Sequence, residues 1–182
     1  LASYLGIESA RSTVRQYAGR TFLEVERFDR VGPYGRLPLC SLGVLNGALL
    51  GLPGAPWPTV SEALHGHGWL SADDVSSIRR LWWFGRLIAN SDMHEGNLSF
   101  RPGLSLAPAY DMLPMAYAPL RGGELPNFSF DPPEARPEEM EAWRAAAGAA
   151  IVFWQRCALD DRIGSAFREI CAANAGRIEG RY

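Results

Sequence analysis

The sequence predicts a mainly α-helical domain with a few short strands that gather around one polar loop. Apolar residues recur at helical spacing through residues 71–88 and again through residues 138–158. Between these segments lies the stretch ANSDMHEGNLSF, residues 89–100, in which acidic, amide and imidazole side chains crowd together. Of the 182 residues, 47% are hydrophobic and 21% are charged, a composition that supplies a globular domain with a full core.

The amino-terminal third is predicted to hold a helix, a strand and a second, shorter helix. Residues 1–19 have amphipathic spacing, which favours a helix that ends in a turn at Gly19. Residues 21–30, TFLEVERFDR, interleave apolar and charged side chains and predict a strand that ends in a polar connection. The apolar residues 39–51 predict a short helix, and the Pro-rich residues 52–58 predict a loop.

Two helix starts are predicted next, each from a hydroxyl residue with an acidic residue three positions later. Thr59 pairs with Glu62, and Ser71 pairs with Asp74, as in the capping box that satisfies free N–H groups at a helix start. The second of these helices is predicted to run to Ile88. Its apolar side chains cover much of its girth, so it should be largely buried.

The carboxy-terminal half is predicted to contain a hairpin and two further helices. Residues 98–100 and 104–107 flank Arg-Pro-Gly and indicate a β-hairpin. Residues 114–137 are rich in Pro and Gly, which indicates an irregular connection. A strong helix is predicted over residues 138–158, and a final helix is predicted to end at Gly176.

Composition also bounds the function and location of the protein. The formal net charge of −2 implies no broad basic surface, so we expect no direct binding of nucleic acid by this chain. The apolar runs are too short for a membrane span, and the first residues do not resemble a signal peptide. Three cysteines without a C-x-x-C pair favour reduced thiols in the cytoplasm over a disulfide framework or a zinc site; they are Cys40, Cys157 and Cys171.

The polar loop contains residue types that fit phosphoryl-transfer chemistry. Asp92 and Asn97 lie five residues apart, and Asp111 follows across the predicted hairpin, which can fold it back beside Asn97. One amide oxygen and one carboxylate suit a hard cation such as Mg²⁺ when phosphates and water complete its coordination. Asp92 would then be free to accept a proton from a hydroxyl nucleophile.

This arrangement follows the logic of a protein-kinase catalytic centre. There, a loop of the form H-R-D-x-x-x-x-N supplies a base and a metal-binding Asn, and the Asp of a D-F-G segment binds metal. The segment DMHEGN, residues 92–97, keeps the D-x-x-x-x-N spacing, and AYDM, residues 109–112, stands in place of D-F-G. Asn90 and Ser91 replace the usual His-Arg, so an ordinary eukaryotic-type kinase is not predicted.

The segments NSDMHEGNLSF and LAPAYDMLP closely resemble the carboxy-terminal kinase domain of HipA-type serine/threonine kinases, the toxins of bacterial toxin–antitoxin systems. The family pattern is N-x-D-x-H-x-x-N followed by L-x-P-x-Y-D. The segment VERFDR, residues 25–30, resembles the family's hinge between its two lobes. Three motifs in the family's order, within about residues 1–115, are more specific than any one of them alone.

The resemblance implies a role for each matched position. Asp92 corresponds to the catalytic base, and Asn97 and Asp111 correspond to the Mg²⁺ ligands. His94 would lie near the phosphates, and Asn90 would brace the loop. The ATP site is implied to comprise Glu26, Arg27, Phe28, His94, Asn97, Tyr110 and Asp111, with backbone groups of the first three beside the adenine.

The resemblance also implies that the chain is the large lobe of a protein-kinase-like fold. Residues 1–30 would be the helix and hinge strand that remain from the region between the lobes. Residues 31–182 would be the helical large lobe with the catalytic loop and the metal-binding segment. The phosphate loop, the strand lysine and most of the small lobe are expected before residue 1, so the chain is interpreted as an inactive piece of a longer protein.

The implied activity is transfer of the γ-phosphate of ATP to Ser or Thr of a protein, with the kinase itself among the candidate substrates. The implied partner is an antitoxin, or a helix-turn-helix DNA-binding protein or fused domain. Two alternatives stay open. One is a non-catalytic regulatory module of a DNA-binding protein. The other is a metal-dependent phosphoester hydrolase, which needs more His and Asp ligands than the sequence offers near His94.

Overall fold

The computed structural model describes residues 2–124 and 126–182, and within them it contains five α-helices and six short strands. The strands are β1 (Ser12–Tyr17), β2 (Arg20–Val25), β3 (Arg30–Val31), β4 (Gly35–Arg36), β5 (Cys40–Ser41) and β6 (Ser99–Phe100). The helices are α1 (Leu42–Leu49), α2 (Trp57–Gly66), α3 (Ala72–Leu87), α4 (Met140–Leu159) and α5 (Ser165–Glu179). The predicted mainly helical class with a few short strands is therefore confirmed.

Helix α3 is the centre of the core. It packs against both α2 and α4, and α4 packs against α5. Ile78, Leu81 and Leu87 are fully or almost fully buried, and each such side chain contributes about 1.5–3 kcal/mol through the hydrophobic effect. The indole N–H of Trp154 on α4 donates to the Leu87 carbonyl at 3.0 Å, which ties the end of α3 to α4.

The predicted start of α3 is confirmed, and the predicted cap of α2 is wrong. Ser71 is the N-cap of α3, and its hydroxyl accepts from the Asp74 N–H at 3.1 Å. Helix α2 instead begins at Trp57, two residues before the predicted Thr59 cap, and Pro56 is its N-cap. Pro58 lies in the first turn and has no N–H group that would need a partner. The helix can therefore start at Trp57 without a hydroxyl cap.

The helix predicted over residues 1–19 is also wrong. A 3₁₀ turn covers Ala2–Leu5, and β1 then pairs with β2 as an antiparallel hairpin. Ala18 and Gly19 form its two-residue turn, and both have positive φ, 49° and 72°, as the right-handed twist of a tight hairpin requires. Every residue of both strands is exposed, so the hairpin shows no inward apolar face by which alternation would have identified it.

The remaining predicted elements are observed with shifted ends. The strand predicted over residues 21–30 is β2, followed by a connection and the two residues of β3. The predicted hairpin is present but short, with the Ala107 N–H donating to the Ser99 carbonyl at 2.9 Å. Helix α5 continues beyond the predicted stop at Gly176, because Ile178 is fully buried and holds the next turn against the core.

All three cysteines are free thiols, as predicted. Cys171 is fully buried, and this burial raises the pKa of its thiol to about 12. Burial likewise raises the pKa of the half-buried Cys157. In the described part of the chain, none of the helices combines the length and the apolar character needed to cross a bilayer.

Candidate functional site

The polar loop begins at a specific helix ending. After α3 the chain adopts a left-handed conformation at Ala89, where φ is 57°. The Asn90 N–H donates to the Gly85 carbonyl at 2.9 Å, and the Ala89 N–H donates to the Arg86 carbonyl at 3.2 Å. This pair of bonds is the Schellman motif, which usually has Gly at the left-handed position. It turns the chain sharply out of α3 into residues 90–97.

Asn90 connects the loop to the segment that carries Asp111. Its side chain is buried, with 8% of its surface exposed. The Oδ1 atom accepts from the Asp92 N–H at 2.9 Å, and the Nδ2 atom donates to the Asp111 carbonyl at 3.4 Å. One amide therefore holds the backbone of both acidic residues, which lie 19 positions apart in the sequence.

Asn97 closes the loop from the other end. Its Nδ2 atom donates to the Asp92 carbonyl at 2.9 Å, and its side chain is 7% exposed. Residues Glu95–Asn97 form a 3₁₀ turn, and His94 caps the turn by accepting the Gly96 N–H on Nδ1 at 3.0 Å. Since Nδ1 accepts, the proton of a neutral His94 ring lies on Nε2.

Tyr110 fastens the second segment to the loop. Its hydroxyl donates to the Gly96 carbonyl at 2.6 Å and lies 2.8 Å from the Ser99 hydroxyl. The neighbouring Asp111 has a left-handed φ of 56°, a conformation that Asp and Asn tolerate better than most residues. Two separate contacts, from Asn90 and from Tyr110, thus hold Asp111 beside the loop.

Both acidic side chains of the site remain available for other partners. Asp92 and Asp111 are exposed, and within the described residues neither carboxylate accepts a hydrogen bond or forms an ion pair. The amide nitrogen of Asn97 donates to the Asp92 carbonyl, which leaves the Asn97 oxygen available as a metal ligand. Amide and carboxylate oxygens are ligands that suit Mg²⁺. Residues 2–124 and 126–182 contain no group of three His, Cys, Asp or Glu side chains arranged to hold a metal by themselves.

The predicted adenine-side residues lie just after β2. The Phe28 ring contacts the Tyr110 ring, with 5.7 Å between their centroids, so the segment reaches the edge of the site. Arg27 pairs with Asp29 at 2.6 Å, and this hydrogen bond lowers the pKa of the Asp29 carboxyl and raises that of Arg27. The Glu26 N–H donates to the Arg11 carbonyl at 2.9 Å, so this group is used within the hairpin.

Asp92 and Asp111 line two separate hollows. An open cleft of about 430 Å³ is lined by Trp82, Arg86, Asn90, Ser91, Asp92, Met93 and His94. A cavity of about 260 Å³ lies between the β1–β2 hairpin and helices α3 and α4, and Asp111 is part of its wall. The loop therefore presents Asp92 to one hollow, and the second segment presents Asp111 to the other.

The sequence reasoning missed one contact of the loop. Glu95 Oε1 accepts a hydrogen bond from Asn46 Nδ2 at 2.6 Å, although the two residues lie 49 positions apart. Neither residue belongs to a local pattern that would have linked them.

The fold and the site together define a class: a helix-rich domain whose core helix ends in a braced loop of oxygen-bearing side chains. This class includes a known protein family. The chain belongs to the HipA-like C-terminal domain family, whose model matches residues 1–177. The resemblance inferred from the loop motifs is confirmed.

Individual relatives agree with this assignment. The chain is 43% identical over 169 residues to Toxin YjjJ of Escherichia coli (strain K12), an alignment that covers 91% of this chain and 38% of that protein. It also matches a chain of the HipA, HipB and operator DNA complex from the Shewanella oneidensis MR-1 toxin–antitoxin system, with a TM-score of 0.59 and 16% identity. That match covers 99% of this chain and 52% of the other, and at this identity it shows a shared fold. The chain thus spans about half or less of the length of these relatives.

Proposed function

We propose that the chain is the large lobe of a serine/threonine protein kinase that transfers the γ-phosphate of ATP to a protein hydroxyl. One observation carries the proposal: a single hydrogen-bond network joins the backbones of Asp92 and Asp111 and the side chain of Asn97. Asn90 bonds the backbone of both acids, and Asn97 bonds the Asp92 carbonyl. Kinase catalysis depends mainly on positioning and on charge stabilisation, and a braced loop of this kind serves both.

In the proposed mechanism Asp92 accepts the proton of the substrate hydroxyl as the oxygen attacks the phosphate. Its carboxylate has no competing partner within the described residues, and it opens onto the 430 Å³ cleft, through which a Ser or Thr side chain can approach. The Asn97 oxygen and the Asp111 carboxylate would hold Mg²⁺, which when bound neutralises phosphate charge. His94 lies in the loop between Asp92 and Asn97, and residues 26–28 with Tyr110 form the proposed edge of the nucleotide site.

We propose further that the phosphate-binding half of the site lies outside these 182 residues. Kinases use a lysine on a strand of the small lobe to hold ATP phosphates. The present sequence contains no lysine, and all 18 of its Lys and Arg residues are Arg. The relative from E. coli is more than twice as long as the matched region, which leaves room for a small lobe in a parent protein of that size.

A DNA-binding antitoxin is the proposed partner of the parent protein. Two relatives support this proposal: the structural relative from Shewanella oneidensis lies in a complex with HipB and operator DNA, and the E. coli relative is named a toxin. Under this proposal the parent acts as the toxin of a toxin–antitoxin pair.

The decisive experiment replaces Asp92 with Asn in the full-length parent and measures transfer of labelled γ-phosphate with Mg²⁺. General-base catalysis is worth about 10²–10⁴-fold, so we expect a loss of that size. Asp73→Asn is a matched control, because Asp73 is an exposed carboxylate in the first turn of α3, away from the loop. A D92N variant that transfers phosphate at the wild-type rate would show that Asp92 is not the base. A wild-type parent that transfers none would favour the regulatory-module alternative.

A further inference from the structure

Asn46 in helix α1 is a buried polar residue whose amide makes three hydrogen bonds. Only 2% of its surface is exposed. Its Nδ2 atom donates to the Leu52 carbonyl at 2.8 Å and to Glu95 Oε1 at 2.6 Å. Its Oδ1 atom accepts from the Leu52 N–H at 3.0 Å. Disturbing a buried amide is costly, because a buried polar group that loses its partner cannot regain the bond from water.

The Glu95 end of this contact lies inside the loop that carries the proposed base and metal ligand. Glu95 is the first residue of the 3₁₀ turn that ends at Asn97, and it follows Asp92 by three positions. Helix α1 approaches this turn closely: a Cβ atom added at Gly43 would lie 3.3 Å from the Glu95 Cβ atom. The small residue at position 43 therefore lets α1 lie against the side chain of Glu95.

Helix α1 is itself fixed in place, so it can act as a support. Its N-cap Ser41 accepts from the Val44 N–H at 3.3 Å. The preceding strand β5 pairs with β6, and the Leu42 N–H donates to the Leu98 carbonyl at 2.8 Å. The support and the loop are therefore joined at both ends of residues 95–100, through Glu95 at one end and through the strand pair at the other.

We propose that Asn46 is a positioning residue for phosphoryl transfer, which acts through Glu95 to hold the loop between Asp92 and Asn97. This inference rests on the proposed kinase function. Asn90 and Tyr110 hold the loop from α3 and from the Asp111 segment, and the Asn46–Glu95 bond holds it from the α1 side. Without that bond the 3₁₀ turn loses its lateral support, and the geometry between the base and the Asn97 oxygen loosens.

Asn46 could also serve only the stability of the fold. Its bonds to Leu52 and its bond to Glu95 can be removed separately, so mutations distinguish this structural role from the positioning role. The two bonds to Leu52 close the chain after α1 and do not involve the loop. Glu95→Ala removes only the bond to the loop and leaves both Leu52 bonds intact. Glu95→Gln retains an oxygen that can accept from Asn46 Nδ2, so it is the conservative rescue variant.

The test compares wild type, E95A, E95Q, N46A and the N46A/E95A double variant of the full-length parent. Steady-state kinetics give kcat and KM for ATP, and thermal unfolding gives stability. A misplaced catalytic group can cost up to about 100-fold, so we expect E95A to lower kcat by about 10- to 100-fold. Because E95A keeps both bonds between Asn46 and Leu52, it should lower the unfolding temperature less than N46A does. E95Q should keep a kcat close to wild type. The double variant should be no slower than N46A, because both changes remove one interaction.

A second readout does not need activity. The Gly96 and Asn97 N–H groups are both hydrogen-bonded to His94, so their hydrogen exchange reports opening of the turn. We expect faster exchange at these amides in E95A and not in E95Q. If kcat and exchange in E95A match wild type, the positioning role is wrong. If the wild-type parent transfers no phosphate but E95A still exchanges faster, the proposed kinase function fails while the Asn46–Glu95 support stands.

Discussion

At the scale of single residues, Asp111 combines a functional side chain with a constrained backbone. Its φ of 56° is left-handed, and its carbonyl accepts from Asn90 Nδ2. Asp and Asn adopt this conformation with little penalty, whereas other side chains with a Cβ atom are strained by about 1–2 kcal/mol. The residue type at position 111 therefore serves the fold as well as the proposed metal site.

Asp111→Asn and Asp111→Ala should separate these two contributions in the full-length parent. Asn keeps the left-handed conformation, so we expect unchanged thermal stability together with weaker Mg²⁺-dependent ATP binding, since the carboxylate charge is lost. Ala should lose the same binding and also about 1 kcal/mol of unfolding free energy. Calorimetric titration with and without Mg²⁺ and thermal unfolding measure the two effects. If D111N binds ATP with the same Mg²⁺ dependence as wild type, Asp111 is not a metal ligand.

Residue spacing predicted part of the site and could not predict the rest. Asp92, Asn97 and Asp111 were identified because kinase chemistry fixes the order and spacing of such groups along the chain. Their roles as base and ligands stay predictions. Glu95 and Asn46 were missed because a contact over 49 positions depends on how α1 packs against the loop, and no local pattern encodes that packing.

At the scale of elements, the start of α3 offers a direct test of capping. Ser71→Ala removes the side-chain acceptor of the Asp74 N–H, so we expect a loss of about 1 kcal/mol in unfolding free energy. Thr59→Ala is the matched control, because Thr59 lies inside α2 and that helix has no side-chain cap. Denaturant unfolding of the 182-residue chain measures both variants. Equal losses for the two would mean that the hydroxyl of Ser71 contributes nothing specific.

The elements that the sequence predicted best are those whose apolar residues are buried. Helices α3 and α4 bury continuous apolar faces, so their periodicity reports their structure. The β1–β2 hairpin buries neither strand, and its apolar residues fit a helical spacing as well as an alternating one. Only the two-residue turn at Ala18 and Gly19 distinguishes the hairpin, and Ala is an uncommon residue at a left-handed turn position.

At the scale of the whole molecule, the core and the proposed nucleotide site depend on different parts of the protein. Helices α2 to α5 pack together without the hairpin, whose large apolar side chains Val14, Phe22, Leu23 and Val25 are exposed. The cavity of about 260 Å³ beneath the hairpin shares its wall with Asp111. We therefore expect this chain to fold by itself, and we expect tight nucleotide binding only in the full-length parent protein.

The isolated 182-residue chain should fold but bind Mg·ATP weakly and transfer little or no phosphate. The physical reason is that a kinase holds the ATP phosphates between two lobes. The metal ligands come from the large lobe and a lysine comes from the small lobe, and this chain contains no lysine. Circular dichroism and calorimetric titration check folding and binding, with the D111N chain as the binding control. Micromolar binding together with transfer that depends on Asp92 would show that the chain contains a complete nucleotide site.

The sharp turn at Ala89 also restricts how the length of the chain can change. Each residue of a helix rotates the chain by about 100° and advances it by about 1.5 Å. One residue inserted between the Ser71 cap and Ala89 would swing the loop by more than a quarter of a turn, away from Asp111 and from its support on α1. Insertions and deletions among members of the family should therefore avoid α3. They should collect in connections such as residues 160–164, between α4 and α5, where a change of length does not rotate the loop.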